Sequence, residues 1–377
     1  MTDKFNLYDV YEQNLNFLFG AGASYGFLPT LALSITDADG EPYTFETLAK
    51  ELQKEKTHHL YTLLFMHYFK TCIYSGLPRV PIRPNSSRRT KVLNEYNTFL
   101  RTLLLVLEKQ NRNDKRCNIY TTNYDNCFEI SADALIADQA LNCVINDGSA
   151  GFQQRNFHTK NFNNRVVQKG IFDKHAEFIP QINILHPHGS VYWRKIDKSI
   201  AVNYGSTPYK IDFDERQNGL LEKFEEIVND EDKDINDLIE FGNDDFEDWD
   251  DLQADRFWGK YNQIPIVNPT KWKFHETVFE EAYYQILRHL SFELERPNSV
   301  LITFGFSFAD EHILHLVQRS LSNPSLTIYI SCYNDYEKHQ MQKKFKGYAN
   351  VKYIAIDDDL TFSRFNKRVF TLKKDVE

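Results

Sequence analysis

None of the five cysteines in this chain stands in a CxxC pair; Cys72, Cys117, Cys127, Cys143 and Cys332 are scattered singly. That spacing speaks against a structural zinc ribbon, and an odd, dispersed set fits reduced, mostly buried thiols. Long apolar runs are also missing. None approaches the roughly 20 residues that a membrane-spanning helix needs, and Thr2–Gln13 is polar and charged where an export signal would be apolar. The expectation is a cytoplasmic protein with no membrane partner. Basic charge is short as well: the formal net charge of −9 argues against broad coating of nucleic acid, which depends on neutralising phosphates, and leaves only a local basic groove possible.

What is present is the composition of an ordinary globular chain, 42% hydrophobic and 26% charged over 377 residues. Aromatics are plentiful, with 29 Phe and 21 Tyr, so large rings are expected to fill the core. The length suits two domains, or one with a sizeable insertion.

Short apolar runs recur at Asn16–Phe19, Cys117–Thr121, Ile182–Leu185, Ile264–Val267, Val300–Phe304, Thr327–Ser331 and Val351–Ile356. Their hydrophobicity is continuous rather than alternating, as in parallel strands buried on both faces. Helical patterns separate several of them. One has Ile313, Leu316, Val317, Ser320 and Leu321 on a single face behind Asp310 as a candidate cap. The fold class is therefore α/β, a Rossmann-like, mostly parallel sheet.

Uneven spacing locates two insertions. Helical patterns at Phe45–Glu55, His58–Tyr74 and Val92–Lys109 read as an inserted helical subdomain over residues 36–109, with a loop from Pro78 to Arg89. The sheet domain is then residues 1–35 plus 110–377. A second interruption, about 205–258, is rich in Asp and Glu from Glu222 to Asp255 and carries Phe224, Phe241, Phe246 and Trp249. It reads as a solvated insertion or as a docking or autoinhibitory surface. Arg79, Arg83, Arg88, Arg89 and Lys91 form a basic stretch suited to an acidic partner, to nucleic acid or to a solvated loop.

Four segments carry candidate chemistry. Phe17-Leu-Phe-Gly-Ala-Gly-Ala-Ser24 ends a strand in a glycine turn. Glycines there let a backbone approach a pyrophosphate at a helix N-terminus, or simply make a tight corner. Gly26 falls one position too late for GxGxxG, and Asp37 and Asp39, at the distance of a ribose acid, sit in a turn-like stretch. Tyr120-Thr-Thr-Asn-Tyr-Asp125 ends another strand, where either Asn123 or Asp125 can cap the following helix, or Asn123 can hold a ribose hydroxyl or a water while Asp125 positions the nicotinamide end or its neighbours.

Leu185-His-Pro-His-Gly189 ends a third. His188 there can take a proton near neutral pH or be a structural loop histidine, with His186 as a competitor. Val300-Leu-Ile-Thr-Phe-Gly-Phe-Ser-Phe-Ala309 resembles a nucleophile elbow, but no acid–histidine pair follows at the right spacing. Gly305 and Ser307 are better read as another ligand-lining corner. His312 and His315 have metal-compatible spacing without a third ligand, so no metal is expected.

Taken in order, Gly20-Ala-Gly-Ala-Ser24, Thr122-Asn-Tyr-Asp125, His188-Gly189, Ile264-Pro-Ile-Val267 and Gly305-Phe-Ser307 resemble sirtuin-like NAD-binding domains. The chain looks like the short sirtuin-like effectors of bacterial antiphage defence, in particular those working with a HerA-type hexameric ATPase. The resemblance implies NAD as substrate along the strand ends. Gly20, Ala21, Gly22 and Ser24 would contact its phosphates, Asn123 and Asp125 would sit at the nicotinamide ribose, His188 would be the catalytic base, and Ser307 would lie near the adenosine half. Protein-deacylating sirtuins carry paired zinc cysteines that this chain lacks, so NAD hydrolysis is expected over deacylation. Control by a homo-oligomer, with the ATPase as partner, is the corresponding expectation. ADP-ribosyl transfer and a catalytically silent NAD or ADP-ribose sensor remain as alternatives.

Overall fold

The computed structural model describes residues 5–37, 40–54, 57–74, 87–111, 114–138, 142–169, 176–205, 209–244, 246, 251–268 and 277–372. Its centre is a sheet of seven strands, every pair parallel. We label them β1 Asn14–Phe19, β2 Arg116–Thr121, β3 Val144–Asn146, β4 Gln181–Leu185, β5 Ser299–Phe304, β6 Thr327–Ser331 and β7 Val351–Ile354. Their spatial order is β7-β6-β5-β1-β2-β4-β3. From β1 the chain winds out through β2 to one side, then crosses back to β5 and winds out to the other. The switch point, where loops diverge and a crevice opens at the carboxyl ends, therefore lies between β1 and β5.

The expected parallel sheet is present, with two differences. Ile264–Val267 does not join it: Pro265 lacks an N–H for a ladder, and the segment makes one bridge, Ile266 to Gly189, plus a hydrogen bond from Val267 N–H to the His188 carbonyl at 2.8 Å. The edge strand β3, three residues long, has only the short apolar stretch Cys143–Ile145 to announce it.

Alternation within the strands sends side chains to two cores. Phe17, Phe19, Ile119, Ile184 and Ile302 pack under α3 (Ser87–Lys109) and α4 (Cys127–Ala137). Leu18, Tyr120, Leu185, Leu301 and Ile328 pack on the opposite face against α8 (Thr277–Glu295) and α9 (Glu311–Ser320). Below that second core runs a row of amides in register: Asn118 donates to Asn16 at 2.9 Å, Asn183 to Asn118 at 2.8 Å, and Asn146 to Asn183 at 3.2 Å. Asn16 continues it to the Ser299 hydroxyl at 3.1 Å, which donates to the Glu293 carbonyl of α8 at 2.8 Å.

A third core lies outside the sheet. It joins α1 (Phe45–Lys54) and α2 (His58–Tyr68) to α5 (Glu215–Val228), α6 (Ile235–Asp244) and α7 (Asp251–Tyr261). Every residue of α2 from Leu60 to Tyr68 is buried, as a helix apolar all round requires. The described helices within 36–109 are thus divided between two cores: α1 and α2 pack with the acidic insertion, and α3 packs on the sheet. Phe224, Phe241 and Phe246 pack in this core, so these three aromatics of the acidic segment build structure rather than an exposed patch. Trp249, Arg79, Arg83 and the stretch Pro78–Pro84 lie outside the described residues. Arg88 and Arg89, expected in a loop, are instead in the first turn of α3, with the Arg89 guanidinium 5.1 Å from the Phe27 ring centroid. Among the described residues no helix is long and apolar enough to cross a membrane.

Candidate functional site

The site is assembled from the turns at the carboxyl ends of β1, β2, β4 and β5. After β1 the chain makes a single 3-10 turn, Ala21–Ser24, not the longer helix expected from the sequence. Gly26, at φ +93°, reverses the chain directly afterwards. A helix macrodipole of useful length is therefore absent at this corner. Its glycines answer to the neighbouring turn. A Cβ on Gly20 would stand 2.4 Å from the Gly305 carbonyl oxygen, and one on Gly22 would stand 2.7 Å from the Gly305 Cα. Gly305 itself, at φ +60°, has room for no Cβ beside Ala23 N. The two turns are stitched by Gly20 N–H to the Phe304 carbonyl and Gly22 N–H to the Gly305 carbonyl, at 3.1 and 3.0 Å.

Ser24 faces the amide–acid pair. It is 1% exposed, donates to Asp125 Oδ2 at 2.9 Å and accepts from Asn123 Nδ2 at 3.2 Å. With its proton on Asp125, its 2.8 Å partner Tyr96 is the donor in that bond. Asp125 Oδ1 receives the Cys127 N–H at 2.9 Å, one residue ahead of the Asn126 cap, and so helps start α4, the helix-end role weighed for it. Asn123 and Asp125 are 9% and 6% exposed, so this hub is nearly closed.

The two imidazoles part company. His186 is buried, and both ring nitrogens are engaged: Nδ1 donates to the Asn123 carbonyl at 3.2 Å and Nε2 lies 2.7 Å from Glu129 Oε1. Burial pulls its pKa down most strongly, but the charge and hydrogen bond of Glu129, the Asn123 carbonyl and Asp125 together outweigh that and hold the imidazole above its usual value.

His188 is only part-buried, and its Nε2 lies 2.8 Å from Asp310 Oδ2. The other oxygen of Asp310 accepts from the N–H groups of His312 and Ile313 at 2.9 and 3.0 Å, capping α9 as the sequence predicts. Burial raises the Asp310 carboxyl, yet the His188 imidazole and those two donors keep it below the ordinary range. A carboxylate at Nε2 fixes the tautomer with that nitrogen protonated, leaving the Nδ1 lone pair for chemistry. Glu46, from α1, is raised by burial and by Asp310, with Lys50, His188 and Lys344 opposing.

Gly189 holds the His188 turn at φ +80°, where a Cβ would stand 2.1 Å from the Pro265 carbonyl oxygen. Ser307 is exposed at the end of the β5 turn, which Lys344 anchors through the carbonyls of Ser307 and Phe308 at 2.8 and 2.9 Å. Phe308 sits at φ 52°, a strained value for a ring-bearing residue. His312 and His315 are exposed on α9, and among the described residues no three His, Cys, Asp or Glu side chains are grouped to hold a metal.

The structure thus brings together Ser24, Asn123 and Asp125, and sets Gly20 and Gly22 against Gly305. Three participants have no local sequence signal as such: Tyr96 and Glu129 sit within helical patterns, and Lys344 belongs to α10 (Asp335–Lys344). Asp310 was visible as a cap, but its pairing with His188, 122 positions away, was not. By sequence the chain matches no protein-family model and no curated protein.

Proposed function

We propose that the chain is an NAD glycohydrolase, cleaving the nicotinamide–ribose bond to give nicotinamide and ADP-ribose. The observation that carries this reading is the His188–Asp310 pair at 2.8 Å beside the β1/β5 switch point, an imidazole whose free nitrogen is set by a carboxylate. The order of the sirtuin-like motifs supports it independently.

In this reading the substrate's cationic pyridinium leaves as neutral nicotinamide, taking the bond electrons, so no strong general acid is required. Water forms the new bond at the ribose anomeric carbon and gives its proton to His188 Nδ1. Asp310 stabilises the resulting imidazolium, as orienting carboxylates do in hydrolase triads. Asn123 holds the ribose and the water, Asp125 its neighbours, and the glycine turns with Ser307 the remaining dinucleotide. Hydrogen-bonded positioning of this kind is the main contribution such a site makes.

Depletion of NAD harms the cell that makes the enzyme, so the activity needs a gate. Closure of the Ser24–Asn123–Asp125 hub favours a resting state, and we extend the proposal to an antiphage effector gated by a homo-oligomer with a HerA-type ATPase. The same closure favours one second reading, a catalytically silent NAD or ADP-ribose sensor. The deciding assay mixes protein and NAD, with and without the ATPase, and measures free nicotinamide. Release that His188→Ala abolishes is the expected result. Saturable nucleotide binding with no nicotinamide under any condition would establish the sensor instead.

A further inference from the structure

Beside the site, at the carboxyl ends of β2, β3 and β4, lies a polar network that the catalytic reading does not use. His186 and Glu129 are 3% and 7% exposed, and they meet at 2.7 Å. Tyr204 OH stands 3.4 Å from the same Glu129 oxygen and 3.1 Å from Asp147 Oδ2. Arg155, at the rim, binds both oxygens of Asp147, at 3.0 and 2.9 Å. The second oxygen of Glu129 is buried without a hydrogen-bond partner.

A carboxylate so placed is costly unless a neighbouring cation offsets it. Hydrogen-bond logic supplies that cation. The Asn123 carbonyl is an acceptor only, so His186 Nδ1 must carry a proton; a carboxylate at Nε2 calls for a second one there. What the charged pair holds is the backbone of Asn123. That residue is fixed at its N–H by Thr121 Oγ1 at 3.2 Å, at its carbonyl by His186 at 3.2 Å and at its carboxamide by Ser24 at 3.2 Å.

We infer that His186 and Glu129 form a positioning pair that sets the carbonyl of Asn123 and, through it, the direction of the Asn123 carboxamide. The catalytic consequence rests on the NAD-cleavage reading. The pair itself does not touch substrate. A one-ångström displacement of a positioned group can cost about 100-fold in rate, which gives the pair leverage over turnover without contact.

The experiment reads steady-state NAD cleavage and backbone hydrogen exchange for the full chain as wild type, His186→Ala and His186→Gln. In His186→Ala, kcat falls by about 10–100-fold with KM within about two-fold, and exchange rises in the peptide over residues 121–126. His186→Gln still offers a donor to the carbonyl and recovers most of both. Unchanged kcat and exchange in His186→Ala overturn the inference, as does a loss that glutamine leaves unrepaired, which assigns the ring to packing.

If wild type releases no nicotinamide, the NAD reading fails by itself and the exchange arm still decides the pair. Nitrogen NMR of histidine-labelled wild type covers the case of a variant that does not fold. His186 Nδ1 is expected protonated at neutral pH, and an unprotonated Nδ1 overturns the assignment.

Discussion

Asn118 of β2 gives its carboxamide hydrogen to Asn16 Oδ1 of β1 at 2.9 Å, inside the sheet and at matched register. It also accepts from Asn183 at 2.8 Å, so Asn118, like Asn183 beside it, is donor to one neighbouring amide and acceptor from the next. Replacing Asn118 by Leu strands the Asn16 oxygen on one side and leaves the Asn183 amide nitrogen only its 3.3 Å bond to the Phe162 carbonyl on the other. A buried orphan costs about 1–3 kcal/mol, so Asn118→Leu should destabilise by at least about that much. Urea unfolding checks it; a midpoint unchanged from wild type would show the row to be dispensable.

The His188–Asp310 contact separates a chemical role from a structural one. In Asp310→Asn the amide oxygen still caps α9, but the amide nitrogen now faces His188 Nε2 and forces the other tautomer. Nδ1 then carries the proton and cannot accept one. Under the proposed mechanism, nicotinamide release should fall by at least about 100-fold, with the melting temperature nearly unchanged. Asp310→Ala loses the cap too and should unfold more easily by about 1 kcal/mol. Equal activity in wild type and Asp310→Asn would remove the oriented-base mechanism.

Much of the sheet was legible because its strands are buried on both faces, and that leaves unbroken apolar runs in the sequence. Thr327–Ser331 is found with the bounds its apolar run predicts. Ile264–Val267 looked the same in composition, but Pro265 withheld a ladder donor, and a one-dimensional pattern does not weigh that. The helical layer was legible as helices and not as a unit. Nothing in residues 45–68 states that their core partners are Leu221, Phe224 and Phe257. The site divides likewise. Strand-end turns announce themselves through glycine, amide and imidazole, while the groups that orient them come from distant helices. Burial also settled which histidine is accessible, since His186 is spent on Asn123 and Glu129.

Glycine substitutions test whether the turns pack as described. Gly305→Ala must place a Cβ 2.7 Å from Ala23 N at φ +60°, and it should cost on the order of 1–3 kcal/mol. Gly219, exposed in α5 with nothing within 4 Å of its Cβ position, is the matched control. Gly219→Ala should stabilise by about 0.5–1 kcal/mol. Thermal melts of both variants give the signs, and a stabilising Gly305→Ala would mean that the β1 and β5 turns do not meet.

The His186–Glu129 pair makes a pH prediction of definite sign. The folded-state pKa of His186 is raised above its unfolded value near 6.5: burial lowers it, and Glu129, the Asn123 carbonyl and Asp125 together outweigh that burial. The native state therefore binds the proton more tightly than the unfolded chain does. That contribution is fully present below about pH 6.5 and is lost as pH climbs through the raised folded value. Wild-type stability should fall over this interval. His186→Gln, which has no proton to lose, should fall less, so the gap between the two narrows toward alkaline pH. Melting temperatures measured in matched buffers across the neutral-to-alkaline range decide it. A gap that widens instead would mean that His186 is neutral in the folded protein and that Glu129 carries the proton.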